Sequence, residues 1–351
     1  MITIKDIAKK AGVSRGTVDR VLHDRGKVAP EKEKKIRRIA RELGYQPNIA
    51  GKGLAARKKH IKIGFVYVSS DQAPFHGVIY ESALQYARQE LQQYGVEVRF
   101  FPFDLKDYEE NFREWDKRFI KVVREQKING LAVVGMMGAR LQQVLEKNGI
   151  VDLPFVLYNQ DEDVKGKLAY VGCDYERAGR LACGLAALMT KNKAHVGIVS
   201  LDDGEMQSSV NRVAGFEAEI RERYPQIQIV EKYFTSNVRV MDELFSEVQQ
   251  MMERHPDMDV LYLANPGDYS LCQSIRRSGR TSDIRIITND LVTEWQREMV
   301  RNGTIDATIC QEPEKQGIKP LEILFNYLAL GIVPETEWYK TELSMRIGQN
   351  V

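Results

Sequence analysis

From Ile61 onward the sequence repeats one rhythm, a short apolar run followed by a longer amphipathic stretch. The runs are "IKIGFVYV", "VEVRFFPF", "GLAVVGM", "PFVLYN", "HVGIVS", "IQIVEKYF", "VLYLAN" and "IRIITND". Near-continuous hydrophobicity marks strands buried on both faces, the habit of parallel sheets covered by helices. Helical spacing over 78–93, 175–190 and 238–254 supplies part of the cover. About eight such units exceed one compact sheet, so residues 61–351 are expected to form an α/β body of two lobes.

Several classes of function drop out. No apolar run approaches the ~18 residues of a membrane span, and "MITIKDIAKK" has no apolar signal segment. A cytoplasmic protein with no membrane partner is expected. Cys173, Cys183, Cys272 and Cys310 lie far apart without a CxxC, so they read as reduced, mostly buried thiols. No metal or cofactor is expected. There is no GxGxxG, Walker A, GxSxG or HExxH pattern, and no enzyme is expected.

Polar residues do stand where ligands of open α/β sheets bind, outside the C-terminal ends of strands. Asn159 ends "PFVLYN", Asn265 ends "VLYLAN", Asp290 ends "IRIITND" and Gln311 ends "TIDATICQ". Arg212 precedes "AGF" at a helix start. Together they offer amide, carboxylate and guanidinium groups, the mix that a polyol needs. Phe75 or Phe234 would stack on the apolar face of a sugar ring.

Net charge is +2 over the chain but unevenly spread. Residues 1–60 hold 17 Lys/Arg against 6 Asp/Glu, or +11, leaving −9 for the rest. A basic head on an acidic body points to nucleic acid. Thr3 and Asp6 open a helix whose apolar positions are Ile4, Ile7, Ala8 and Ala11, and Gly12 closes it. Ser14 caps a second helix with Val18, Val21 and Leu22 on one face. Arg15, Gly16, Thr17, Asp19 and Arg20 lie on the other. A third helix runs from Pro30 to Leu43 and Gly44 ends it. Two helices across a tight glycine turn form a helix-turn-helix, and the second is the reader. Arg15 can donate bidentately to guanine, and Gly16 permits close backbone approach.

"TIKDIAKKAGVS..TV.RVL" followed by "ELGYQPN" resembles the lactose-repressor (LacI–GalR) family of bacterial transcription regulators. The resemblance implies a helix-turn-helix head over 1–47, a hinge helix and linker over 48–60, and a two-lobed body over 61–351. It implies that Arg15 and Gly16 read bases, with Ser14, Thr17, Asp19, Arg20, Lys27 and Asn48 completing the DNA-binding set. Asp19 replaces the usual Ser. Leu54 matches the leucine that wedges the minor groove. Gly51 and Gly53 weaken the hinge helix, so it is expected to fold only on DNA.

The body resembles the two-lobed periplasmic-binding-protein fold. On that resemblance Arg212, Asn265, Asp290 and Gln311 carry over as ligand contacts, and Phe75 and His76 face the pocket. Asn159-Gln160 replaces the Asp-Arg pair common in sugar binders. "MRIGQNV" lacks a leucine-heptad tail, which implies a homodimer. The expected protein is a repressor that binds a palindromic operator in double-stranded DNA. A sugar-like effector bound between the lobes would control it.

Overall fold

The computed structural model describes residues 2–22, 28–43, 59–69, 74–202, 206–235, 241–265, 269–277 and 284–351. Three helices come first: α1 (Ile4–Ala11), α2 (Arg15–Leu22) and α3 (Pro30–Glu42). Their apolar faces close on Ile7, Ala8, Ala11, Val18, Val21, Ile36, Ile39 and Ala40. The expected hinge helix lies outside the described residues.

The chain then alternates β1 (Lys62–Val68), α4 (Pro74–Tyr86), β2 (Glu97–Phe103), α5 (Leu105–Glu125), β3 (Gly130–Val134), α6 (Gly138–Lys147), β4 (Phe155–Tyr158) and β5 (Lys167–Gly172). It continues through α7 (Tyr175–Thr190), β6 (Ala194–Ser200), α8 (Gln207–Arg223), β7 (Ile227–Phe234), α9 (Met241–Arg254), β8 (Val260–Asn265) and α10 (Ser270–Arg277). The last elements are β9 (Arg285–Asn289), α11 (Glu294–Arg301), β10 (Ala307–Cys310), α12 (Pro313–Phe325), β11 (Trp338–Lys340) and β12 (Ser344–Arg346).

Two compact units result. One comprises Met1–Val68, Tyr80–Val171 and Gln316–Tyr339; the other comprises Ser69–Ile79, Gly172–Lys315 and Lys340–Val351. The first sheet has the order β11-β5-β4-β3-β1-β2, the second β12-β10-β9-β8-β6-β7. In each, one strand (β1 or β6) is flanked by the next two in sequence. Strand order reverses there, the kind of switch point beside whose C-terminal strand ends open α/β sheets bind their ligands.

The second sheet shows why its strands read as unbroken apolar runs. Val196 and Ile198 of β6 and Val260, Tyr262 and Ala264 of β8 pack with Ala182 of α7 and Phe216 of α8. Val199, Leu261 and Leu263 point the other way, to Val248 and Met251 of α9, Ile275 of α10 and Met299 of α11. Side chains alternate with period 2, but both faces are covered, so both must be apolar.

The expectation of parallel sheets needs one correction. Strand β12 runs antiparallel to β10, pairing Thr308 with Arg346 and Cys310 with Ser344, so the second sheet is mixed. The expected helix at 78–93 also begins earlier, at Pro74, whose missing N–H costs nothing in a first turn. It ends in a π-type turn over Ala87–Leu91.

Candidate DNA-reading head and polar cluster

In the head, Asp6 ties down the first turn of α1, its Oδ2 accepting from the Thr3 N–H at 2.8 Å and the Thr3 hydroxyl at 2.6 Å. Those bonds hold the Asp6 carboxyl below its usual range. Gly12 adopts φ +71°, and its N–H returns to the Ala8 carbonyl. That left-handed residue turns the chain into α2. Ser14 caps α2, its Oγ accepting the Thr17 N–H at 3.1 Å and lying 2.8 Å from the Thr17 hydroxyl. Arg15, Gly16 and Arg20 are exposed, Thr17 and Asp19 half-buried. The Arg20 Nε donates to the Gly16 carbonyl at 3.2 Å. Lys27, Asn48 and Leu54 lie outside the described residues.

The Ser14 hydroxyl is thus engaged within its own helix. Ser14→Ala is expected to cost about 1 kcal/mol of head stability, and Ser14→Gly only a few tenths. Amide hydrogen exchange of α2 in the full chain reads this. Equal losses in the two variants would remove the capping role.

In the second unit, four expected residues converge at the C-terminal end of the sheet. Arg212 lies on α8 and is 4% exposed. Its Nη1 donates to the Ala264 carbonyl at 2.8 Å, its Nη2 lies 3.8 Å from Asp290 Oδ2, and the guanidinium sits 5.1 Å from the Tyr175 ring centroid. Its Nε is buried with no partner among the described residues. Burial opposes the charge, but Asp290, Tyr262, Tyr175 and Cys173 outweigh it and raise the Arg212 pKa. Asp290 is raised by burial, against the pull of Arg212 and the Gln311 amide. Gln311 Nε2 donates to Asp290 Oδ1 at 2.9 Å, while its Oε1 accepts from the Cys173 thiol at 3.1 Å. Burial pushes that thiol up to about 12, so it stays a donor. All four cysteines are free, and Cys310 alone among them is only half-buried.

Asn265 joins through a residue that sequence reasoning missed. Asp202 Oδ2 accepts from Ser200 Oγ at 2.7 Å, from Asn265 Nδ2 at 3.2 Å and from Ser209 Oγ. Its signal was a carboxylate two residues beyond "HVGIVS". Phe234 pairs in register with Ser200 and packs half-buried on the core.

Helix α8 delivers Arg212 because α7 and α8 approach at two glycines. A Cβ on Gly179 would stand 1.8 Å from the Arg212 carbonyl oxygen, and one on Gly215 would stand 1.9 Å from the Glu176 carbonyl oxygen. Asp174 caps α7, its Oδ1 accepting the Arg177 N–H at 3.0 Å.

Asn159 belongs to the first unit, where it occupies the place in its sheet that Asp290 occupies in the other. Both residues have left-handed backbones, φ +68° and +70°. Asn and Asp tolerate that region best among non-glycines, and such strain collects at functional sites. A buried tyrosine braces each: Tyr170 donates to the Asn159 carbonyl at 2.9 Å, and Tyr269 donates to the Asp290 carbonyl. Asn159 Nδ2 also reaches Gln316 Oε1 at 3.3 Å. Phe75 and His76 begin α4, their rings edge to face at 5.8 Å. Burial lowers the His76 pKa to about 4, so near neutrality its shielded Nδ1 belongs to an uncharged ring.

Known proteins resemble both parts of the chain. The periplasmic binding protein domain family matches residues 63–331, and the lacI family of bacterial regulatory proteins matches 3–48. The HTH-type transcriptional regulator RegA of Clostridium saccharobutylicum is 28% identical over 221 residues, 63% of this chain and 61% of RegA, so less than two-thirds of that relative is spanned. The ribose operon repressor of Lactococcus lactis is 26% identical over 298 residues, covering 83% of this chain and 81% of that protein. Among solved structures, GanP, a glucose-galactose binding protein from Geobacillus stearothermophilus, superposes with a TM-score of 0.66 at 23% identity, over 83% of this chain and 98% of GanP. That likeness shows the two-sheet fold. The chain belongs to the periplasmic binding protein domain family over residues 63–331 and carries, at residues 3–48, a domain of the lacI family of bacterial regulatory proteins.

Proposed function

We propose that this protein is a cytoplasmic transcription repressor that binds a palindromic operator as a homodimer and is switched by a sugar or sugar derivative. Residues 1–47 read DNA, 48–60 form the hinge, and 61–351 bind the effector and dimerise. The carrying observation is the second-unit cluster, where the buried Arg212 Nε has no partner among the described residues and the guanidinium faces the Asp290 carboxylate. A sugar hydroxyl can accept from that N–H and donate to a carboxylate at once, which a purely structural ion pair does not require. The name of the Lactococcus relative and the ligand of GanP support the sugar class. A thermal-shift screen of monosaccharides, polyols, uronates and sugar phosphates tests it. A ligand at 100 times its dissociation constant adds about 2.7 kcal/mol. No shift from any of them would remove the reading.

The DNA half rests on Arg15, exposed at the start of α2. Arg15→Ala is expected to cost about 1–3 kcal/mol on an operator selected from a random pool, and to relax preference at one position per half-site. Affinity for random DNA should fall far less. Equal losses on both DNAs would make Arg15 a phosphate contact.

A further inference from the structure

The first unit carries a concavity that the effector cluster does not use. It is a groove of about 500 Å³ between α5 and α6. Helical spacing places Lys117, Lys121 and Arg124 on the α5 side and Arg140 and Lys147 on the α6 side. Ile120 and Val144, both buried, form an apolar floor. Asp116 and Glu125 are the lining carboxylates, leaving a formal +3. The two arginines are fixed by the protein. Arg140 donates to Asp116 at 2.7 Å and lies 4.8 Å from the Phe112 ring centroid, and Arg124 donates to the Asn148 carbonyl. The lysines are held loosely: Lys121 is 3.9 Å from Glu125, and Lys117 is 4.0 Å from Glu114. The charge is mixed but strongly biased, five cations against two carboxylates, and the cations converge from two elements onto an apolar base.

From this we infer that the α5–α6 groove binds a small organic phosphate, a second ligand separate from the effector. Placed guanidiniums match phosphate oxygens in a fork, and mobile lysines add charge. The apolar floor takes a ring. The volume falls within the range of small-molecule sites and fits a nucleotide-sized molecule.

The test uses the full chain and isothermal calorimetry with adenosine diphosphate, pyrophosphate and adenosine. Adenosine diphosphate should bind, pyrophosphate more weakly, and adenosine not at all. Raising salt from about 0.05 to about 0.5 M should weaken both anions, because screening tightens. Lys121→Glu/Lys147→Glu reverses two exposed charges and should weaken adenosine diphosphate roughly tenfold or more. Arg212→Ala/Asp290→Asn should bind it as the wild type does, which separates this groove from the effector cluster. Undiminished binding in the charge-reversed variant, or loss in the Arg212 variant, would overturn the inference. So would weaker operator binding in the charge-reversed variant with unchanged nucleotide binding, which would give the groove to DNA.

Discussion

Gly215→Ala is expected to destabilise the protein by about 1–3 kcal/mol or more and to weaken effector binding with it. The added Cβ would sit 1.9 Å from the Glu176 carbonyl oxygen and 2.9 Å from its Cα. These are backbone atoms of α7 that no rotamer change can move, so α8 must shift away. Arg212 lies three residues earlier on α8 and would shift too, lengthening its 2.8 Å bond to the Ala264 carbonyl. Gly184→Ala on α7 is the control. Its Cβ would meet nothing within 4 Å, so the change should stabilise by roughly 0.5–1 kcal/mol through helix propensity alone. Thermal unfolding of the two variants should therefore move in opposite directions. An unchanged Gly215→Ala protein would mean that the two helices are not in close contact there.

Arg212→Ala should be costlier still, about 3–5 kcal/mol near neutral pH, because it leaves Asp290 buried without its cation. The deficit should depend on pH. Burial already raises the folded Asp290 pKa, and removing Arg212 deletes the main force opposing that rise. A carboxyl raised above its unfolded value binds its proton more tightly when folded. Its contribution to stability is full below the unfolded pKa of 3.8 and is lost as pH rises through the raised value. The variant's deficit should therefore grow from acid toward neutral pH. Arg212→Ala/Asp290→Asn should recover much of the loss, and the cycle of four proteins gives the coupling. A deficit that does not change with pH would show that packing, not charge, is what Arg212 contributes.

The strongly periodic elements were legible in the sequence. Helix α7 covers the anticipated 175–190, and the eight apolar runs all became strands. Strand β5 was not anticipated, since "KLAYVG" opens on a lysine and its first two residues are only half-buried. Strands β11 and β12 have three residues each, too few for any period to show. The convergence of Asn265, Asp290 and Gln311 was legible because each closes an apolar strand run, and parallel strands bring such ends to one side of the sheet. Asp202 and Cys173 were not. Each takes its meaning from partners distant in sequence, Asn265 for the first and Gln311 for the second. The close approach at Gly179 and Gly215 was equally hidden, because a helical glycine carries no mark of what faces it.

The central claim is that one chain couples the polar cluster to the DNA-reading head. The direct measurement is operator affinity by fluorescence anisotropy, with and without the sugar that most stabilises the wild type. The comparison protein is Arg212→Ala/Asp290→Asn. The wild-type affinity should change by roughly 5- to 150-fold on adding the sugar, the usual range of coupling between sites. The double variant should bind the operator as the wild type does without sugar and show no change with it. An equal response in both proteins would contradict the account, since the effector would then act through residues other than these.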